Sequence, residues 1–492
     1  MKALTFWLTG LTLLAAPVAA QTTATLHGHL ANTGTEKLLV SWWSQPLATH
    51  EQQRAVHVEP NGNFTVAVPI TRPTLVQLSY GDEEVPVFLE PGNDLALHGD
   101  AADLAATGKF EPGSGAANRP AAAANNYLQE LSRAFINNDD YQVLPENIKL
   151  GEKGFLDFLD YRRDHENALL KQASRHGNFT TAFQAYAAAD IAYTYAEDRL
   201  TYADLREQTV AGQPRIELSP DYYSFLKAPG LLPGNEQAVT SSHYQDFLLD
   251  YVHYQARTTG HQPTTPDYFP TCYQLADKLL RADARPVVLG RLVLETIRQG
   301  HVAHAQAMLS TYAATAQAPA GWVALLRTDL ADNQSFAIGS AAPPLALRSA
   351  DGRSLSLADL RGKLVYLMFW DSRFPASQRE LPHLKEVTAS LLGQPIVIVM
   401  AALDESLSNW QQTIACDPAA PAVIHAYVPP AQQAAMRQAY SIERLPNAVV
   451  IAEDGTLLDL HPRTLSSRAL QDDLKAAVGR AAAYRAVALN KL

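Results

Sequence analysis

The chain has 492 residues, 47% hydrophobic and 18% charged, with a formal net charge of −11 and two cysteines. This length holds two or three domains with cores of their own. The acidic balance, with no basic run bearing interleaved aromatics, excludes nucleic acid as the natural partner, and two cysteines cannot form a disulfide framework.

At the N-terminus Lys2 precedes an apolar stretch from Leu4 to Ala16, which Pro17 breaks; Val18-Ala19-Ala20 then offers small residues to a peptidase. Residues 1–20 read as a signal peptide, with a mature start at Gln21. The apolar run is too short for a comfortable membrane span, no cysteine stands at the cut to take a lipid, and no transmembrane segment is expected after cleavage.

Residues 21–110 read as a β-sandwich-like domain. Thr25–Leu30 alternates, Lys37–Trp43 is apolar, and further strands fit Thr74–Tyr80, Pro86–Leu89 and Asp94–His98. Asn61-Gly62 between Ala55–Pro60 and Asn63–Ile70 predicts a hairpin. Residues 111–124 have the composition of a linker, with Pro112, Gly113, Ser114, Gly115 and Pro120. Residues 125–335 read as an all-α region. Tyr127, Leu131 and Phe135 share one helical face, as do Phe179, Phe183 and Tyr186; the clearest stripe is Tyr244, Phe247, Leu248, Tyr251 and Val252. Ser219-Pro220-Asp221 predicts a helix start. Such stripes serve helix packing more often than ligand grooves.

From Phe336 the pattern changes to apolar strand runs, Leu364–Trp370, Pro395–Ala402 and Ala448–Ala452, separated by helical stretches. This predicts an α/β domain over 336–480 with a largely parallel sheet. A last helix from Ser467 to about Leu489 extends through 481–492. The fold class is therefore multidomain: β-sandwich-like, then all-α, then α/β.

Several phrases of the last domain occur in a telling order. Gly339-Ser340-Ala341-Ala342-Pro343-Pro344 is followed by Leu357-Ala358-Asp359-Leu360-Arg361-Gly362-Lys363-Leu364-Val365, then Phe369-Trp370, Glu380-Leu381-Pro382, and Leu445-Pro446-Asn447-Ala448-Val449-Val450-Ile451 before Asp454-Gly455. On these phrases residues 336–480 resemble the thioredoxin superfamily, specifically the exported TlpA/ResA-like thiol:disulfide interchange proteins, or redoxins. Leu89-Glu90-Pro91-Gly92-Asn93 and Phe110-Glu111-Pro112-Gly113-Ser114-Gly115 loosely resemble the closing phrases of a β domain that some of these redoxins carry at the N-terminus. The resemblance implies a cis peptide at Leu445–Pro446 and export to the periplasm or envelope of a Gram-negative bacterium. It also implies Cys-x-x-Cys four residues after Trp370. That window here is Phe374-Pro375-Ala376-Ser377, so Phe374 and Ser377 stand at the two cysteine positions. Arg373 replaces the usual tryptophan, and Met368 a buried acid found in some relatives.

Thiol–disulfide exchange needs an attacking thiolate and a second thiol to release the mixed disulfide. Without them the expected role is a binding or structural module, with Phe374, Leu445 and Pro446 as candidate contacts for an extended peptide or an envelope protein. The competing reading is a thiol oxidoreductase or peroxidase working through a relocated thiol, Cys416. Cys272 and Cys416 fall in different predicted domains and read as buried free thiols rather than a pair. Ser377 lacks an adjacent base, so catalysis by it is not expected; Ser377-x-x-Glu380 reads instead as a capping box. His301-x-x-His304 lacks a third ligand and is weak as a metal site. No cofactor and no metal are expected. Asn178-Phe179-Thr180 is a glycosylation sequon by pattern.

Overall fold

The computed structural model describes residues 23–43, 47, 51–115, 118–210, 215–228, 231, 236–315, 317–334, 336–349, 352–404, 406–415, 423–478 and 480. The signal-peptide reading, the Gln21 start, Cys416 and the terminal helix beyond 480 lie outside them. The chain forms two compact units. The first comprises Met1–Ser44, His50–Asp139 and Glu166–Ala185, and the second Gln45–Thr49, Asp140–His165 and Tyr186–Leu492.

The first unit is built on β1 (Thr23–Ala31), β2 (Leu38–Trp42), β3 (Gln52–Val56), β4 (Asn63–Pro69), β5 (Thr74–Tyr80), β6 (Glu83–Leu89), β7 (Asp94–Asp100) and β8 (Lys109–Pro112). Two four-stranded sheets result, in the orders β4-β1-β7-β8 and β3-β2-β5-β6. Alternation fixes the inward faces: Leu26, Leu30, Val66, Val68, Leu78, Val85 and Leu97 all enter one core.

Asn61-Gly62 does not close the expected hairpin. Pairing across it is confined to the Val58–Phe64 bridge, after which β3 joins β2 and β4 joins β1 in the other sheet. The turn thus passes the chain between sheets. Gly62 has φ +85°, and a Cβ there would lie 2.2 Å from the Leu30 carbonyl oxygen, so only glycine fits.

The stretch read as a linker is largely structured. A short helix α1 (Leu104–Thr107) precedes β8, and Asn118–Leu131 forms α2. The alanines that look like loop composition are the best helix formers, and Pro120 falls in the first turn where no N–H is missed. Ala121 and Ala122 pack into the sandwich core. Asn125 bonds both the N–H and the carbonyl of Phe88 (2.7 and 3.0 Å), and Asn126 those of Phe110 (both 2.8 Å), so α2 is pinned to an edge strand of each sheet.

The helices that follow are α3 (Glu152–Gly177), α4 (Thr181–Thr209), α5 (Ser242–Thr258), α6 (Tyr268–Leu279), α7 (Ala284–Arg298), α8 (Val302–Ala313) and α9 (Ala320–Asp332). The Tyr244 stripe of α5 is fully inside, packed with Val288, Leu292 and Tyr312 in one cluster. Ser219-Pro220-Asp221 opens only a single 3-10 stretch, Tyr222–Lys227. Asn178 is exposed in the turn between α3 and α4, at φ 47°.

The second unit ends in a seven-stranded mixed sheet, in the order β10-β9-β13-β12-β11-β14-β15. Its elements are β9 (Leu347–Ser349), β10 (Ser354–Leu355), β11 (Leu364–Trp370), α10 (Pro375–Gln378), α11 (Leu384–Ser390), β12 (Ile396–Ala402), α12 (Leu407–Ala415), β13 (Val423–Tyr427), α13 (Pro430–Ala439), β14 (Asn447–Ile451), β15 (Leu457–Asp459) and α14 (Leu470–Ala477). Only β11–β12 and β12–β13 are parallel; the other pairings are antiparallel, which corrects the largely parallel sheet. The apolar runs could not tell the two apart, because burial on both faces removes alternation in either case. Every residue of β11 and β12 is buried, and the sheet separates two cores, one holding Tyr366, Met368 and Trp370, the other Val365, Leu367 and Phe369.

Candidate functional site

β11 and β14 are antiparallel neighbours with Phe369 opposite Asn447. The loop after Trp370 and the Leu445–Pro446 segment therefore leave the same end of the sheet, and the Leu445–Pro446 peptide is cis. Phe374 is the N-cap residue of α10, with Pro375 at the first helical position. The residue is 47% exposed. Ser377 is fully buried, and its hydroxyl accepts the Asp371 N–H at 3.4 Å. Leu445 and Pro446 are half-buried, and Leu445 packs against the core that holds Val365, Leu367 and Phe369. Met368 is enclosed in the sheet core.

The predicted capping box does not form. Ser377 lies inside α10 rather than ahead of a helix, and Glu380 turns away to accept the Ser466 N–H and hydroxyl, both at 2.9 Å. Pro382 splits the helical stretch into α10, a 3-10 turn and α11, so no single helix start follows Ser377.

Two carboxylates that the sequence did not single out lie under this loop. Asp371, at the end of β11, is fully buried and grips Arg373: its Oδ1 accepts the Arg373 N–H (2.9 Å) and Nε–H (3.1 Å), and its Oδ2 accepts from Nη2 at 2.8 Å. Burial pushes the Asp371 carboxyl up, but the Arg373 bonds outweigh it, with Arg437 adding to them, and hold it below its ordinary value. Asp404, just past β12, is likewise buried and accepts the Ser372 N–H at 3.2 Å and the Ser372 hydroxyl. Here burial wins, reinforced by the nearby Asp371 charge, and the Asp404 carboxyl is raised despite the Ser372 bonds. The Gln378 amide donates to the Ser372 carbonyl at 2.6 Å. The loop is thus tied down on both sides, while Phe374 is exposed at its apex between Arg373 and Pro375.

Neither sulfur nor a histidine occupies Asp371–Gln378. The helix N-terminus that would favour a thiolate is retained at Phe374; the side chains there can supply apolar contact and shape but no electron pair at sulfur. His301 stands at the N-cap position of α8, with no side-chain capping bond, and stacks beside His304 with ring centres 6.0 Å apart. Burial and the second ring lower His301 to about 4, so it is neutral near pH 7. Among the described residues no three His, Cys, Asp or Glu side chains gather as a metal site.

A family described as thioredoxin-like matches residues 362–457. The chain is 25% identical over 143 residues to the thiol-disulfide oxidoreductase ResA of Halalkalibacterium halodurans, covering 29% of this chain and 78% of that protein. It is 31% identical over 81 residues to the ResA of Geobacillus thermodenitrificans, covering 16% of this chain and 47% of that one. Of the Bacillus thuringiensis ResA the chain spans 44%. Among solved structures, a putative thiol:disulfide interchange protein DsbE from Chlorobium tepidum is 26% identical with TM-score 0.26, covering 29% of this chain and 98% of that one. A thioredoxin-like protein from Bacteroides caccae is 17% identical with TM-score 0.29, covering 58% and 93%. Fold and family match together define the C-terminal domain as a member of the thioredoxin superfamily. Within it, that domain is a ResA-like redoxin domain.

Proposed function

We propose that this protein is exported to the envelope of a Gram-negative bacterium and that its C-terminal domain has given up dithiol exchange. In its place the end of the sheet binds an extended segment of another envelope protein, with Phe374, Leu445 and Pro446 as the contacts. The observation that carries the reading is the half-exposed Phe374 at the N-cap of α10, held there by a loop anchored through Asp371 and Asp404. A ring that only plugged an idle cleft would be buried. Burying it under a ligand contributes about 1–3 kcal/mol, and backbone pairing beside Leu445 would supply register. The experiment is selection from a library of extended peptides, with affinities of the hits measured for wild type and Phe374→Ala. The reading expects roughly a tenfold loss, which corresponds to about 1.4 kcal/mol. Hits that bind the variant as tightly as wild type would refute it.

A further inference from the structure

The helical region contains a second arrangement with the parts of an activated nucleophile. Cys272, the fifth residue of α6, is a free thiol with no exposed surface. Its Sγ lies 3.6 Å from Nδ1 of His253 on α5. The other ring nitrogen, Nε2, lies 2.9 Å from the Glu295 carboxylate on α7. With Nε2–H donating to Glu295, Nδ1 is the face turned to sulfur. The Tyr268 hydroxyl is 2.8 Å from the same Nδ1. A nucleophile within reach of a base, and a base oriented by a third group, is the pattern that activates a weak side-chain nucleophile.

His253, Tyr268 and Glu295 of the cluster border open space, while Cys272 lies behind them. A cavity of about 530 Å³ is lined by His253, Tyr268, Phe269 and Glu295 from the helices, together with Asp459 and Arg463 from the redoxin domain. Cys272 sits one turn beyond Tyr268 and Phe269. Burial opposes charge on His253, yet its bonds to Cys272 and Glu295 push it up to about 10. The imidazolium is therefore the stable form beside the sulfur.

We propose that Cys272 is a reactive thiol that reduces a small hydroperoxide reaching it through this cavity. In the reactive pair the proton of the thiol rests on His253 Nδ1, and Glu295 holds that imidazolium through Nε2. The thiolate attacks the terminal oxygen of the hydroperoxide; the S–O bond forms as the O–O bond breaks. Sulfur is oxidised by two electrons to a sulfenic acid and the peroxide is reduced. The leaving hydroxide or alkoxide takes the proton from His253 and departs as water or alcohol. Acyl transfer does not suit the site: Cys272 lies inside α6, where the backbone N–H groups are spent on the helix and cannot form an oxyanion hole. Complete burial of the sulfur restricts the reactant to a small molecule.

The test uses the full mature chain with Cys416→Ser, so that Cys272 is its one thiol. Native protein is treated with hydrogen peroxide at neutral pH, and sulfenic acid is trapped with dimedone and located by mass spectrometry. Cys272 should be labelled faster in the native chain than in the urea-unfolded chain, despite its burial. His253→Gln, shown by circular dichroism to be folded, should slow the native reaction by roughly a hundredfold. The native-against-unfolded comparison needs no change at His253 and decides the matter if that variant does not fold. Native labelling no faster than unfolded, or a folded His253→Gln that reacts at the wild-type rate, would overturn the proposal.

Discussion

At the end of β11 the backbone keeps a helix N-terminus beside the Leu445–Pro446 segment, but the side chains are Phe374 and Ser377. On α6 there is no helix-end device at all, yet Cys272 stands against His253 and His253 against Glu295. One place has a helix end whose residues 371–378 carry neither sulfur nor histidine; the other has a thiol against an imidazole in the midst of the helices. The contrast teaches that a fold supplies positions, while chemistry depends on which side chains fill them. It also separates two kinds of order. The β11 loop is bonded beneath and open at its apex, whereas the α6 cluster is closed around its sulfur.

That comparison can be broken by showing that the β11 loop is not held beneath, or that Phe374 is part of what holds it. The largest effect is expected at Glu380, which spans to Ser466 through two bonds to a buried carboxylate. Glu380→Ala should lower stability by about 3 kcal/mol, since bonds to charged groups contribute about 1.5–3 kcal/mol each; urea unfolding measures this. Arg373→Ala leaves buried Asp371 with the backbone N–H of residue 373 but without the guanidinium. Because Arg373 is half-exposed, the expected loss is smaller, about 1 kcal/mol. The sign with pH follows from the lowered Asp371 carboxyl. Its stabilisation is present above the unfolded value of about 3.9 and disappears as pH falls through the lower folded value. The gap between wild type and Arg373→Ala should therefore close on acidification, as unfolding curves across that range would record. The smallest effect is expected from Phe374→Ala, under about 0.5 kcal/mol, as for a surface side chain. A drop of several kcal/mol would make the ring structural and remove the contrast between anchored base and open apex.

Much of this was legible in the sequence, and the failures share a cause. The buried strands announced themselves as apolar runs at Leu364–Trp370 and Pro395–Ala402, and the Leu445–Pro446 peptide is cis as expected. The Asp371–Arg373 clasp is only two residues wide and its sequence signal is plain in retrospect: an Asp directly after a buried strand. Asp404 and Ser372 are 32 residues apart, and Glu380 and Ser466 are 86 apart. Nothing in local spacing pairs them. The Cys272 cluster draws on three helices, with Glu295 42 residues from His253, and so remained invisible to a reading by spacing. The misread linker shows the opposite error: local composition was taken at face value, while Ala121 and Ala122 were being claimed by a core built from distant strands.

The most direct test of the central claim is reduction of insulin disulfides by the purified mature chain, with dithiothreitol as electron donor. The double substitution F374C/S377C serves as the counterpart that returns sulfur to the retained helix end. Wild type should run at the uncatalysed rate, and the double variant should exceed it, because attack and release each need a thiol at that position. Turnover by the wild-type chain above the uncatalysed rate would contradict the account, and its disappearance in Cys416→Ser would assign exchange to a relocated thiol.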